Sequence, residues 1–229
     1  MQARSQYHAE LDHVWQSLYE LAELARLAMV RGSLALEEAD LQIAEQVIAG
    51  DVQLDTRRAE LDELVFTLLA TQQPVATDLR LLTATIPAAA GLERMGDLAA
   101  HVARAARLRY PDHAVPEPLR ATITGMGEVA VGLAADVAAA LASRDPTLAA
   151  RVPAGDEEMT RLHRQMFALL LAEHTGARVN TAIDVSLLGR YFERYADQAV
   201  SVARRVYFVI TAEHLAPVEP REGWSGGRR

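Results

Sequence analysis

The chain has 229 residues, 31 acidic against 23 basic side chains, a formal net charge of −8 and no cysteine. It therefore has no disulfide framework, no Cys-type zinc site and no thiol nucleophile. Its acidic field disfavours binding to nucleic-acid phosphates and favours cations or a basic protein surface. Half of the residues are hydrophobic and only 5% are aromatic, the composition of helices packed on helices rather than of a β-sandwich.

No window approaches 18 uncharged apolar residues, so no transmembrane helix is expected. The start, M-Q-A-R-S-Q-Y-H-A-E, lacks the apolar core of a signal peptide. The chain reads as cytoplasmic.

In chain order, the first helix is announced by Leu11, Val14, Trp15, Leu18, Leu21, Ala22 and Ala25, apolar positions at steps of three and four. The pattern continues to Gly50, with Gly32 as a candidate kink. A second helix is predicted from Asp51 to about Ala70, ended by Gln73-Pro74, since proline has no N–H for a helix interior. A third runs from Thr77 to Arg109, with a kink or local break expected at Pro87. Y-P-D-H-A-V-P-E-P, with three prolines, is a linker near the middle of the chain. A fourth helix covers Pro118 to Ser143. A fifth restarts at Asp145-Pro146, is interrupted around Pro153 to Gly155, and continues to about His174. Thr175-Gly176 is the next break, and the sixth helix runs from Arg178 to His214. The Gly- and Pro-rich ending is expected to be disordered.

One sentence of sequence is written twice. Residues 93–104 read E-R-M-G-D-L-A-A-H-V-A-R and residues 193–204 read E-R-Y-A-D-Q-A-V-S-V-A-R, 100 residues apart. Such a period means two copies of one supersecondary unit. L-D-E-L-V-F-T-L-L-A and L-H-R-Q-M-F-A-L-L-L-A extend the likeness to helices two and five, with Phe66 set against Phe167 at an offset of 101. The predicted fold is all-α, two pseudo-repeated three-helix bundles: 1–110 and 118–216, joined by the linker 111–117 and followed by a tail 217–229.

Each copy carries two carboxylates four residues apart, Glu93 with Asp97 and Glu193 with Asp197, hence on one helix face a turn apart. Like charges at this spacing repel, and a cation between them reverses the sign of that term. On a helical wheel Met95, Ala99, Val102 and Ala106 oppose the first pair, and Tyr191, Tyr195, Val202, Val206 and Val209 oppose the second. The acids thus face away from their own core. Arg94 is spaced to pair with Asp97, and Arg190 with Glu193, which describes an ordinary solvated charged face equally well. Asp51 and Asp55 make a third pair, with the positive end of a helix dipole as their simplest role. Asp156 opens the corresponding stretch of helix five, with Thr160 four later. Together these oxygens suit Mg, Mn, Ca or iron, with fewer ligands in the second half. His101, one turn beyond Asp97, reads as a surface histidine, with a metal ligand as the alternative.

The run Q-Q-P-V-A-T-D-L-R followed by G-L-E-R-M-G-D-L-A-A-H-V-A-R resembles the signature of the PhoU family, regulators of the phosphate-specific transport system. L-L-G-R-Y-F-E-R-Y-A-D-Q-A-V-S-V-A-R-R-V is similar to that family's C-terminal repeat. The resemblance spans about residues 1–215. It implies two three-helix bundles in a cytosolic homodimer that is not an enzyme. It implies coupling of a phosphate ABC transporter, through its ATPase subunit, to a sensor histidine kinase, and repression of phosphate-starvation genes when phosphate is plentiful. Contact with the membrane is then only through those partners. It also implies divalent or iron clusters on surface carboxylates, here Asp51, Asp55, Glu93, Asp97, Asp156, Glu193 and Asp197. Thr160 departs from that motif and puts a complete second cluster in doubt.

Two other classes remain. A di-metal helical-bundle enzyme needs inward carboxylates and two Glu-x-x-His strings, and only Glu10 to His13 supplies one. A helical adaptor of an unrelated pathway shares the predicted fold. The one G-x-S-x-G string, Gly223 to Gly227, lies in the Gly-rich ending and not at a strand-to-helix elbow, and no P-loop string is present.

Overall fold

The computed structural model describes residues 2–172 and 179–215. Six helices follow one another: α1 Gln2–Glu38, α2 Leu41–Gln72, α3 Ala76–Arg109, α4 Glu117–Ser143, α5 Pro146–Leu171 and α6 Val179–Thr211. Among the described residues there is no strand. α1, α2 and α3 pack on one another, as do α4, α5 and α6, and the halves join where α3 meets α6 and α1 meets α4. One hydrophobic core runs through both bundles. The predicted break at Thr175-Gly176 and the predicted tail 217–229 lie outside the described residues.

The first turn falls ten residues earlier than the periodicity predicts. Ala39 takes a left-handed conformation (φ 52°) and Asp40 caps α2, its carboxylate accepting the Ile43 N–H at 2.9 Å. The second half repeats this turn: Arg144 is left-handed (φ 54°) and Asp145 accepts the Thr147 N–H at 2.8 Å. Pro146 at the first helical position advertises the second turn. The first has neither proline nor glycine, and its only signal is an aspartate three residues before Ile43.

The two turns, with Gly50 and Gly155, fix the register between α1–α2 and α4–α5 at 105 residues. The Phe66–Phe167 match at 101 therefore does not hold: Phe66 corresponds to Leu171, and Phe167 to Asp62.

α3 passes through Pro87 and α5 through Pro153 without interruption. The backbone bond each proline removes is outweighed by packing along the rest of the helix. α3 buries sixteen residues, among them Ala84, Ala88, Ala99, Ala103 and Ala106, small enough to let α1, α2 and α6 close in at once. α1 comes close at Gly32, where a Cβ would stand 3.0 Å from the Ala99 carbonyl oxygen.

α4 corrects the hydropathy expectation. Its 27 residues are long and apolar enough, by composition, to cross a membrane, but half of the most apolar window is buried inside the fold against α1, α5 and α6. Its apolarity serves the core of the second bundle.

Candidate acidic grooves between paired helices

α3 and α6 run antiparallel. Gly91 lies against Val202, His101 stacks on Tyr191 with ring centroids 5.0 Å apart, and Arg109 pairs with Asp184. That register sets Gly96 level with Ala196 and Asp197, so the two copies of the repeated motif meet at their centres. As the wheel predicts, Met95, Ala99, Val102, Ala106, Tyr195, Val202, Val206 and Val209 are buried. The carboxylates of Glu93, Asp97 and Glu193 are partly exposed and Asp197 is exposed. Tyr191 is only half-buried, because it covers His101.

In the first half, the groove between α2 and α3 gathers Asp51, Asp55, Glu93 and Asp97. Asp51 is eleven residues into the chain's second helix-forming stretch rather than at its start, so the helix-dipole role falls away, that effect being confined to the first turn. Instead its carboxyl is pushed above its ordinary value, first by burial, then by the negative charges of Asp97 and Asp55, with Arg104 opposing. Glu93 is raised in the same way: burial first, then Asp97 and Asp55, with Arg58 and Arg94 opposing.

Three guanidinium groups thread this groove. Arg104 of α3 reaches Asp51 of α2 at 3.4 Å, and Arg58 of α2 reaches Glu93 of α3 at 3.5 Å. Arg94 pairs with Asp97 at 2.7 Å, as its spacing predicts. Arg58 also reaches Asp62 at 3.4 Å, a carboxylate with one buried oxygen lacking a hydrogen-bond partner.

The second half keeps part of this arrangement. Asp197, though exposed as a residue, has its carboxyl raised first by partial burial against the helix, then by Asp156 and Glu193. Arg190 pairs with Glu193 at 2.5 Å, as predicted. Thr160, in the place of Asp55, donates its hydroxyl to the Asp156 carbonyl at 3.1 Å. At the register of 105, the counterpart of Arg58 is His163, whose Nδ1 stands 3.5 Å from Glu193. The glutamate keeps a partner in both halves, an arginine in one and an imidazole, charged only when protonated, in the other.

His101 is not a free surface histidine. It lies between the halves, stacked on Tyr191 with Nδ1 3.5 Å from Arg104. Burial first, and then Arg104, lower its pKa, which favours the neutral ring. The cross-helix partners Arg58, Arg104 and His163 were not singled out in the sequence. The wheel that grouped the acids would have placed Arg58 beside Asp55 and Asp62.

Among the described residues no three His, Asp or Glu side chains group so as to hold a metal ion. The donor chemistry suits a hard cation, but the oxygens are drawn toward guanidinium groups rather than toward a common point. As placed, the side chains do not fit the metal clusters that the resemblance implies.

Fold and grooves together define an all-helical tandem-repeat protein whose distinctive surface is a pair of acid-lined interhelical grooves. The family model described as "PhoU domain" matches residues 18–106 and 123–206, and the chain belongs to the PhoU family. It is 44% identical over 208 residues to "Phosphate-specific transport system accessory protein PhoU homolog 1" of Mycobacterium leprae, covering 91% of this chain and 94% of that one. It is equally identical to "homolog 2" of Mycobacterium tuberculosis, with 91% and 98% covered. Among solved structures, PhoU from Pseudomonas aeruginosa matches with a TM-score of 0.82 at 25% identity, over 90% of this chain and all of that one. The phosphate transport system regulatory protein PhoU from Streptococcus pneumoniae shares the fold, with a TM-score of 0.82 at 22% identity over 92% of this chain.

Proposed function

We propose that this chain is an accessory regulator of phosphate uptake. In this reading it docks on the ATPase subunit of a phosphate ABC transporter and on a sensor histidine kinase, and holds phosphate-starvation genes off when phosphate is plentiful. It acts by contact rather than by catalysis, as a cytoplasmic homodimer. The observation that carries the proposal is 44% identity, over more than nine-tenths of both chains, to relatives named as accessory proteins of phosphate-specific transport.

The architecture suits a docking body. Long helices locked into one core present the outward acids of α6, Glu193 and Asp197, to basic surfaces of a partner by charge complementarity. The test is deletion of the gene in its own host, with a phosphate-starvation promoter driving a reporter. The proposal expects expression in phosphate-replete medium, restored to silence by the intact gene. Unchanged silence in the deletion strain would remove the regulatory role.

A further inference from the structure

We infer that the α2–α3 groove neutralises its own acids: the guanidinium groups of Arg58 and Arg104 stand where bridging cations would stand, and this half holds no metal cluster while they remain. Three observations carry this. The groove gathers four like charges on packed helices, Asp51 and Asp55 on α2 and Glu93 and Asp97 on α3, so some positive charge is required there. That charge is supplied reciprocally, with α3 sending Arg104 to Asp51 and α2 sending Arg58 to Glu93. The side chains are correspondingly not grouped for an ion. A divalent cation binding here must first displace a guanidinium from a carboxylate that is mostly withdrawn from water, Asp51 being 18% exposed and Glu93 21%. Each displaced arginine then sits unpaired beside the incoming positive charge, which opposes binding.

The clasp also ties α2 directly to α3, beside the packing of α1 on both. Leu54 covers Gly96 at the same level, and the two ion pairs flank that contact. Cations bind the native state only where they find oxygens free to converge.

The test uses the full chain, purified without added metal. Elemental analysis and thermal unfolding are run with EDTA, with Mn²⁺ and with Zn²⁺. The expected result is an unfolding midpoint that EDTA does not lower and Mn²⁺ does not raise. Arg58→Gln/Arg104→Gln should melt lower than the native chain and recover on addition of Mn²⁺. Recovery should be abolished by adding Asp51→Asn and Glu93→Gln. Stoichiometric metal in the native chain that is lost in Asp51→Asn/Glu93→Gln, but kept in Glu193→Gln/Asp197→Asn, would overturn the inference. So would a double arginine variant that folds but gains nothing from Mn²⁺. If the double variant does not fold, the native chain's metal content and EDTA response decide alone, and Arg104→Lys, which keeps the charge, should behave as native.

Discussion

The phenol of Tyr195, fully buried in α6, donates to the carbonyl oxygen of Ala25 in α1 at 3.0 Å. The bond spans the two pseudo-repeats. Burial pushes the phenol's pKa far up, so the proton stays in place at any working pH. Trp15 makes a second tie, donating its indole N–H to the Leu141 carbonyl at 2.6 Å. The halves are thus joined by directed bonds as well as by apolar packing. Tyr195→Phe should cost about 1 kcal/mol and Tyr195→Ala about 3–5 kcal/mol, measured by urea unfolding. A single unfolding transition is expected throughout; separate melting of the halves in Tyr195→Ala would show that this core is not one cooperative unit.

Gly32 is a packing glycine. Replacing it with Ala gains about 1 kcal/mol of helix propensity, but the added methyl must move the Ala99 backbone, 3.0 Å away. Displacing a packed element costs about 1–3 kcal/mol, so net destabilisation is expected from chemical denaturation of Gly32→Ala. A more stable variant would mean that α1 shifts on α3 without resistance.

The repeat, its outward acids and their i,i+3 arginines were legible because each is local: a helical wheel and a spacing of three suffice. The turn at Ala39-Asp40 was not, because apolar periodicity runs across it and the cue is one aspartate. Asp40→Ala should cost about 1 kcal/mol, and an unaffected stability would remove the capping role. Pro153 misled for the opposite reason, since a breaker weighed alone omits the packing around it. His101, Arg58 and His163 take their meaning from neighbouring helices, which no spacing within one helix reveals. The misplaced Phe66–Phe167 match shows the same limit: short apolar strings recur by chance, whereas a paired left-handed residue and capping aspartate do not.

The acidic grooves predict a particular pH response. The folded-state pKa values of Asp51, Glu93 and Asp197 are raised. The folded state therefore holds protons that the unfolded chain has released, and these groups lose stability as pH rises from the ordinary carboxylate range through their raised values. Asp145, lowered by its bonds to Thr147, acts with the opposite sign and weakens folding as pH falls. Asp51→Asn should flatten the part of the stability profile just above pH 4. Arg104→Gln, which leaves Asp51 uncompensated, should destabilise by about 1 kcal/mol at pH 7 and by less near pH 4.5. Equal losses at both pH values would contradict the electrostatic account.

The outward acids of α6 are the proposed contact with a basic partner surface. Glu193→Lys/Asp197→Lys should keep the helical circular-dichroism signal while weakening partner capture and repression together. Capture and repression both unchanged would move the contact elsewhere on the molecule.

The most direct measurement is affinity capture of the tagged full-length protein from phosphate-replete and phosphate-starved cells, with quantitative mass spectrometry of what accompanies it. The account predicts enrichment of a phosphate-transporter ATPase subunit or a sensor histidine kinase that changes between the two conditions. Recovery of a well-folded, normally expressed protein with neither partner in either condition would contradict it.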